Sequence, residues 1–309
     1  MKPIVILGIF VADTAYRADR MPKMGETILG TSFALGPGGK GSNQAVAAAM
    51  AAGPGRPVHF ITRLGKDDFA AIARSTWGRA GVVAEVTEDA ESYTGAAFIF
   101  LEAATGNNAI IVSPGAAARI SVADVEARAG LIAGASVFVT QLEQPIPAAE
   151  RALQIARGAG VRTILNPAPA ADLPDAMLAL CDFATPNESE AEALTGIAVT
   201  DVASAGRAAE ALRARGVGAV VVTLGGNGAL YVDGSRKVHV PVISAGPVVE
   251  TTGAGDAFNG GFAVALAEGR EVIEAVRFGC ATAGISVTRA GTAPSMPARA
   301  EIEALLARG

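Results

Sequence analysis

One aspartate and the small residues ahead of it are the part of this 309-residue chain best equipped for chemistry. In TTGAGDAFNG (251–260), Gly253, Ala254 and Gly255 run into an apolar, helix-like segment. A helix starting there leaves backbone N–H groups unpaired at the positive end of its dipole. Such an end binds anions without any side-chain charge. Asp256 then has two readings. As a first-turn acid it stabilises the helix dipole by about 0.3–1 kcal/mol. As a carboxylate beside bound phosphates it can accept the proton of an attacking hydroxyl, the base that phosphoryl transfer uses once donor and acceptor are aligned. An aspartate with the ordinary pKa of about 3.9 is ionised at neutral pH and acts as a positioned acceptor.

Four further motifs carry polar groups at suggestive spacing. TPNESEAEALTG (185–196) sets Asn187 and Glu190 at i, i+3 on one face of an opening helix. Two oxygen-rich groups there suit the hydration shell of Mg²⁺, and they suit an N-cap with first-turn acids equally well. GPGGKG (36–41) satisfies G-x-G-x-x-G, but it does not follow the first strand, and the next acids, Asp67 and Asp68, come too late for a dinucleotide fingerprint. Gly38, Gly39 and Gly41 would instead let backbone approach a small ligand, with Lys40 and Asn43 as donors, or simply form a flexible turn. TLGGNGAL (223–230) ends an apolar strand in a Gly-rich turn, and QLEQP (141–145) presents Glu143 at a strand tip. Ligands of doubly wound sheets sit at such carboxyl ends, though an ordinary loop fits each segment too.

The elements that must position these groups alternate. Strand-like runs are 4–9, 57–62, 136–140, 162–166, 182–186 and 219–224; helix-like runs are 42–52, 67–80, 147–159 and 202–216. Strands apolar on both faces and separated by helices predict an α/β fold, a mainly parallel sheet covered on both sides. Two segments, about 14–38 and 92–113, break the rhythm. The second alternates polar and apolar residues and turns at Gly106-Asn107, as a hairpin does. Both read as antiparallel strands of a small lid sheet on a single domain spanning 1–309, and beyond Gly255 the chain is helical.

Composition narrows the classes. Half the residues are hydrophobic, enough for a sizeable core. Thirty acidic against 25 basic residues give a net charge of −5, with no Lys/Arg-rich run, which argues against nucleic acid. Two cysteines, Cys181 and Cys280, have no CxxC spacing, so zinc is not expected and a reducing cytoplasm is. The opening IVILGI reads as a buried strand rather than a signal peptide, because Asp13 follows at once. No run approaches the roughly 20 apolar residues of a membrane span.

Together these segments resemble the PfkB-type carbohydrate kinases, over the whole chain and in order. GGKGSNQAVAAA (38–49) and TTGAGDAFNGGF (251–262) look like the two family signatures. QLEQP, LNPAPA (165–170), TPNESEAEALTG, VTLGGNG (222–228) and VTRAGTAPSMP (287–297) resemble its ribokinase branch. The resemblance implies a ribokinase-like, Rossmann-like sheet with a β-lid that often pairs two subunits into a homodimer. It also implies transfer of phosphate from ATP to a sugar, most simply D-ribose, with another pentose, ketose or nucleoside as the alternative acceptor. By position, Asp256 matches the base and Gly253, Ala254 and Gly255 the anion hole. Val11, Asp13, Gly39, Lys40, Gly41, Asn43 and Glu143 match the sugar site. Asn187 and Glu190 match the element near Mg²⁺, and Thr223, Leu224, Gly225, Gly226, Asn227, Gly228 and Cys280 the nucleotide wall. Glu250, Thr252, Ser286, Arg289, Gly291 and Ser295 match a K⁺ site built mostly of backbone carbonyls, a donor set suited to a large, weakly hydrated ion. Two positions depart from the pattern. Glu250 stands where the family usually has aspartate, and Val11 where bacterial ribokinases have asparagine. Valine cannot bond a sugar hydroxyl, a loss of about 1–3 kcal/mol if a polar group is left unpaired.

Overall fold

Ile4–Leu7 (β1) is fully buried, and its alternate side chains enter two different cores. Ile4 and Ile6 join Phe60, Phe262 and Phe278 on one face, whereas Val5 and Leu7 join Phe138 and Leu153 on the other. This is why the opening run has no polar face: it is the middle of a sheet covered on both sides. In the computed structural model, which describes residues 1–308, the other strands follow in chain order. They are β2 (Val11–Ala18), β3 (Ser32–Gly38), β4 (Val58–Leu64), β5 (Val82–Glu88), β6 (Thr94–Glu102), β7 (Asn108–Gly115) and β8 (Val137–Thr140). Then come β9 (Arg162–Leu165), β10 (Phe183–Ala184), β11 (Ala219–Thr223), β12 (Ala229–Val232) and β13 (Lys237–Val240).

The main sheet has nine strands in the order β13-β12-β11-β10-β9-β8-β1-β4-β5. From β5 to β11 all pairs are parallel, and β12 and β13 add an antiparallel edge. The helices Lys40–Ala52, Asp68–Ala80, Ala254–Ala267 and Val272–Ser286 pack on one face, and Ile146–Gly158 and Val202–Ala214 on the other. Each expected strand and helix is present to within about two residues. Three strands were not expected. β5 is an exposed edge carrying Glu85 and Glu88, so it lacks the apolar run of its neighbours. β12 and β13 form a short hairpin through Asp233-Gly234, a turn signal that lies beyond the Gly-rich loop and is easily absorbed into it.

A second sheet, β3-β2-β6-β7, stands apart from the first. It is built from the two segments expected to form a lid, with β2–β3 and β6–β7 antiparallel and β2–β6 parallel. Gly106, at φ 75°, makes the turn between β6 and β7. Phe33, Leu35, Ile110, Ile111 and Val112 leave large apolar side chains exposed on this sheet. No described helix is long and apolar enough to cross a membrane.

The Lys40–Ala52 and Ala254–Ala267 helices touch backbone to backbone. A Cβ on Gly260 would lie 2.7 Å from the backbone nitrogen of Ala48 and would overlap Ala47. Gly260→Ala should therefore destabilise the protein by roughly 1–3 kcal/mol through overpacking. Gly78→Ala, in a helix position with nothing within 4 Å of the new methyl group, should instead add roughly 0.5–1 kcal/mol. Urea unfolding of the two variants checks both signs.

Candidate active site

The carboxyl ends of the central strands carry the polar residues. Gln141 and Glu143 follow β8, Asn166 follows β9, Thr185 follows β10, and Thr223 ends β11. The amino ends of the Lys40–Ala52 and Ala254–Ala267 helices meet them there.

The Ala254–Ala267 helix starts at Gly253, which has φ 81° and makes no side-chain cap. The Ala254 N–H is accepted by the Thr251 carbonyl at 3.1 Å, so it is engaged within the turn and does not join an anion site of amides 253–255 in this conformation. The free donors are instead the N–H groups of Gly253, Gly255 and Asp256, none of which reaches a protein acceptor.

Asp256 is buried, with 6% of its surface exposed. Its Oδ2 accepts from Asn43 Nδ2 at 3.0 Å and its Oδ1 from Gln44 Nε2 at 3.1 Å. Burial lifts its pKa above the ordinary aspartate value, against the pull of the Lys40 charge and these two amides. The sequence-based assumption of an unperturbed carboxylate is thereby corrected. Around it lie three more carboxylates. Burial pushes Glu143 up to about 7, opposed by Lys40 and reinforced by Asp256 and Asp13. Burial, with Asp256 and Glu250 adding repulsion, pushes Asp13 up to about 6. Glu190 is raised by burial as well. Burial works against the Lys40 charge, yet Asp256, Glu143 and Glu190 together raise its pKa. The Lys40 backbone N–H also donates to Glu143 Oε2 at 2.8 Å.

Two cavities meet at this cluster. The smaller, about 130 Å³, is lined by Lys40, Asn166, Glu190, Gly253 and Asp256. The larger, about 340 Å³, is walled by Gly225, Gly226, Ile243, Val248, Phe258 and Cys280. Asn187, Thr223, Thr251, Ala254 and Gly255 line both, so the two form one continuous cleft. Burial pushes the Cys280 thiol up to about 12, so it presents an uncharged wall. Leu224 turns into the core and the Asn227 carbonyl accepts from His239 at 2.7 Å; neither lines the cleft, unlike Thr223, Gly225, Gly226 and Gly228.

Asn187 and Glu190 realise the capping alternative in full. Asn187 Oδ1 accepts from the Glu190 N–H at 2.8 Å, and Glu190 Oε2 from the Asn187 N–H at 2.9 Å. Both residues nonetheless line the smaller cavity. The glycines of GPGGKG have a packing role that spacing alone did not reveal. A Cβ on Gly41 would lie 2.7 Å from the Gly8 Cα, and one on Gly39, at φ 89°, 2.6 Å from the Ile9 carbonyl. A Cβ on Gly38 would overlap the Asp13 carboxylate. They let the helix start close against the link of residues 8–10 between β1 and β2 and make room for Asp13. Val11 is buried, 4% exposed, and rests against Gly95 within the core.

The segments matched to a cation site converge on Glu250. Its Oε2 accepts from the Gly291 N–H at 2.8 Å, and its own N–H donates to the Val287 carbonyl at 3.2 Å. The Ser286 carbonyl accepts from Arg289 N–H at 3.1 Å, Ser295 Oγ donates to the Thr292 carbonyl at 2.7 Å, and the Arg289 side chain turns away to Glu301. Thr252 lies between Glu250 and the helix start at Gly253. Sequence reasoning missed the amide chain beneath Asp256: Gln44, Gln141, Asn166, Thr185 and Asn259. The available signal was the density of Asn and Gln in otherwise apolar segments, since buried amides need partners.

The description "pfkB family carbohydrate kinase" matches residues 1–299. The chain is 40% identical over 303 residues to the ribokinase of Haemophilus influenzae, covering 97% of each. It superposes with a TM-score of 0.92, at 32% identity, on the Arabidopsis thaliana ribokinase complexed with ribose and ATP, covering 99% of this chain and 98% of that one. The ribokinase of Thermotoga maritima gives 0.89 at 36% identity, covering 99% and 100%. The buried aspartate at a helix start, the cleft that runs past it and these likenesses agree: the chain belongs to the pfkB family of carbohydrate kinases.

Proposed function

We propose that this protein transfers the γ-phosphoryl group of ATP to the 5-hydroxyl of D-ribose. The observation that carries the reading is the single cleft in which Asp256 and the free amides at its helix start face a larger apolar cavity. The likeness to a ribokinase complexed with ribose and ATP supports both the acceptor and the donor. The apolar cavity suits a nucleotide base, with Cys280 beside it and the turn Thr223–Gly228 as a wall. Sugar is held by Asp13, Gly39, Lys40, Asn43 and Glu143, and the second sheet closes over it. Asp256 takes the hydroxyl proton as the oxygen attacks phosphorus, while the N–H groups of Gly253, Gly255 and Asp256 take up the charge on the transferring group.

Asn187 and Glu190 fit a hydrated Mg²⁺. Each spends only part of its polar capacity on the capping box, and Glu190 keeps a second carboxylate oxygen at the small cavity. When bound, the ion neutralises phosphate charge. Glu250, Thr252, Ser286, Arg289, Gly291 and Ser295 would hold K⁺ through backbone carbonyls and the Glu250 oxygen that does not accept from Gly291. The extra methylene of Glu250 reaches the Gly291 amide and ties the two loops together. The exposed apolar side chains of the second sheet support a homodimer in which each copy covers the other, and a cytoplasmic enzyme agrees with two reduced, buried cysteines.

Asp256→Asn should lower turnover roughly 10²–10⁴-fold while ATP binding is largely kept, measured by coupled ADP release and calorimetry. A variant with near-normal turnover removes Asp256 from the base role. Activity should rise when K⁺ replaces a large organic cation, and equal rates in K⁺, Na⁺ and tetramethylammonium would sink the cation site. The raised carboxylates set the pH profile: Glu143 and Asp13 bind sugar hydroxyls as acceptors when ionised, so kcat/KM should fall as pH drops through about 7 and again through about 6. Glu143→Gln, a poorer enzyme, should lose the upper limb. Stability runs the other way. Folding favours these two groups protonated, so their contribution is full below about pH 4 and is lost as pH rises through 6 and 7.

A further inference from the structure

The geometry points to Gln44 as the positioning residue for Asp256, with the direction of its amide dictated by a chain of buried hydrogen bonds anchored on the Thr185 backbone. This rests on the kinase reading above, in which Asp256 is the base. Gln44 is completely buried, on the helix turn that also carries Asn43, and nothing in the reaction requires it to touch sugar or nucleotide.

The chain starts from an atom that can only accept. Asn166 Nδ2 donates to the Thr185 carbonyl at 3.0 Å, which turns Asn166 Oδ1 towards Gln44. Gln44 Nε2 donates to that oxygen at 3.0 Å and to Asp256 Oδ1 at 3.1 Å. With both protons so placed, Gln44 Oε1 faces the other way and accepts from Gln141 Nε2. An amide is two-faced, and only its partners decide which end points where. Here the two acceptors, Asn166 Oδ1 and Asp256 Oδ1, both claim the nitrogen of Gln44 and so fix its direction, while Gln141 follows from it and keeps its own Oε1 unpaired. Gln141 is held in turn by a slot between Gly8 and Gly41: a Cβ on Gly41 would lie 3.0 Å from its Oε1, and one on Gly8 would overlap it.

The consequence is a carboxylate gripped at each oxygen by a different amide, Asn43 at Oδ2 and Gln44 at Oδ1. Asn43 alone leaves the carboxylate free to rotate about that one bond. Gln44 fixes its plane, and with it the direction of the lone pair offered to the hydroxyl. Orientation of this kind acts on the chemical step more than on binding.

The test is a double-mutant cycle with Gln44→Met, which keeps the side-chain length and removes the donor. The substrate is whichever sugar of a pentose panel the wild type phosphorylates, with radiolabelled ATP as donor. Alone, Gln44→Met should lower kcat about tenfold with KM for ATP within twofold. On the Asp256→Asn background it should leave the residual kcat unchanged, because there is no base left to orient. An equal loss on both backgrounds, or no loss on the first, overturns the proposal, since packing alone would cost the same in each. The crystal structure of Gln44→Met gives a readout independent of turnover. A rotated or two-conformer Asp256 carboxylate supports the role, and an unmoved one overturns it. A wild type that phosphorylates no sugar sinks the kinase reading and still leaves this structural comparison to decide Gln44.

Discussion

Two helices meet with almost nothing between them where Gly260 rests on Ala47 and Ala48, and the active site depends on that contact. One helix begins at Lys40 and brings Asn43 and Gln44; the other begins after Gly253 and brings Asp256. Their amino ends are set side by side because the helices approach closely a turn or so further on. Asn43 and Asp256 are 213 positions apart in the chain, yet a single hydrogen bond joins them. Without the small residues at the crossing, the helices would separate by about a methyl group, and both amides would lose the carboxylate.

That arrangement concentrates negative charge. Glu143, Glu190 and Asp256 surround one ammonium, Lys40, with Asp13 close to Asp256, and burial raises the pKa of each carboxylate above its ordinary value. The phosphates of a nucleotide would add more. The balance is kept by backbone rather than by side chains. Unpaired N–H groups at the start of the Ala254–Ala267 helix supply positive potential without a second lysine. This leaves the one aspartate of that turn free for the base role proposed for it. Its neighbours are neutral amides, which hold a carboxylate without discharging it.

Much of the fold was legible in the sequence, and the reasons differ by element. β1, β8 and β11 announce themselves because strands buried on both faces carry nearly uninterrupted apolar runs, and β4 and β9 do so less plainly because His59, Arg63 and Arg162 interrupt or edge theirs. β5 hides because an edge strand is half exposed and mixes Glu85 and Glu88 with its valines. The second sheet was visible in the alternation around Gly106. In the site, the sequence places Asp256 at a helix start, but it does not show that the Ala254 amide is spent on the Thr251 carbonyl. Leu224 and Asn227 could not be told from their glycine neighbours, because which residues of a turn face a cleft depends on how the turn packs against Val240 and His239.

By itself the sequence determined the layered α/β frame, the place of the glycine turn that opens the Ala254–Ala267 helix and the identity of the acid within it. Periodicity, glycine spacing and capping are local properties, so a linear string carries them. Only the tertiary structure decided that Ala254's amide is engaged, that Gly41 packs against Gly8, and that Gln44 reaches Asp256. It also decided how far each carboxylate is lifted from its ordinary pKa. Those are facts of burial and of which amide faces which acceptor. They arise between residues more than a hundred positions apart, where spacing along the chain says nothing about distance.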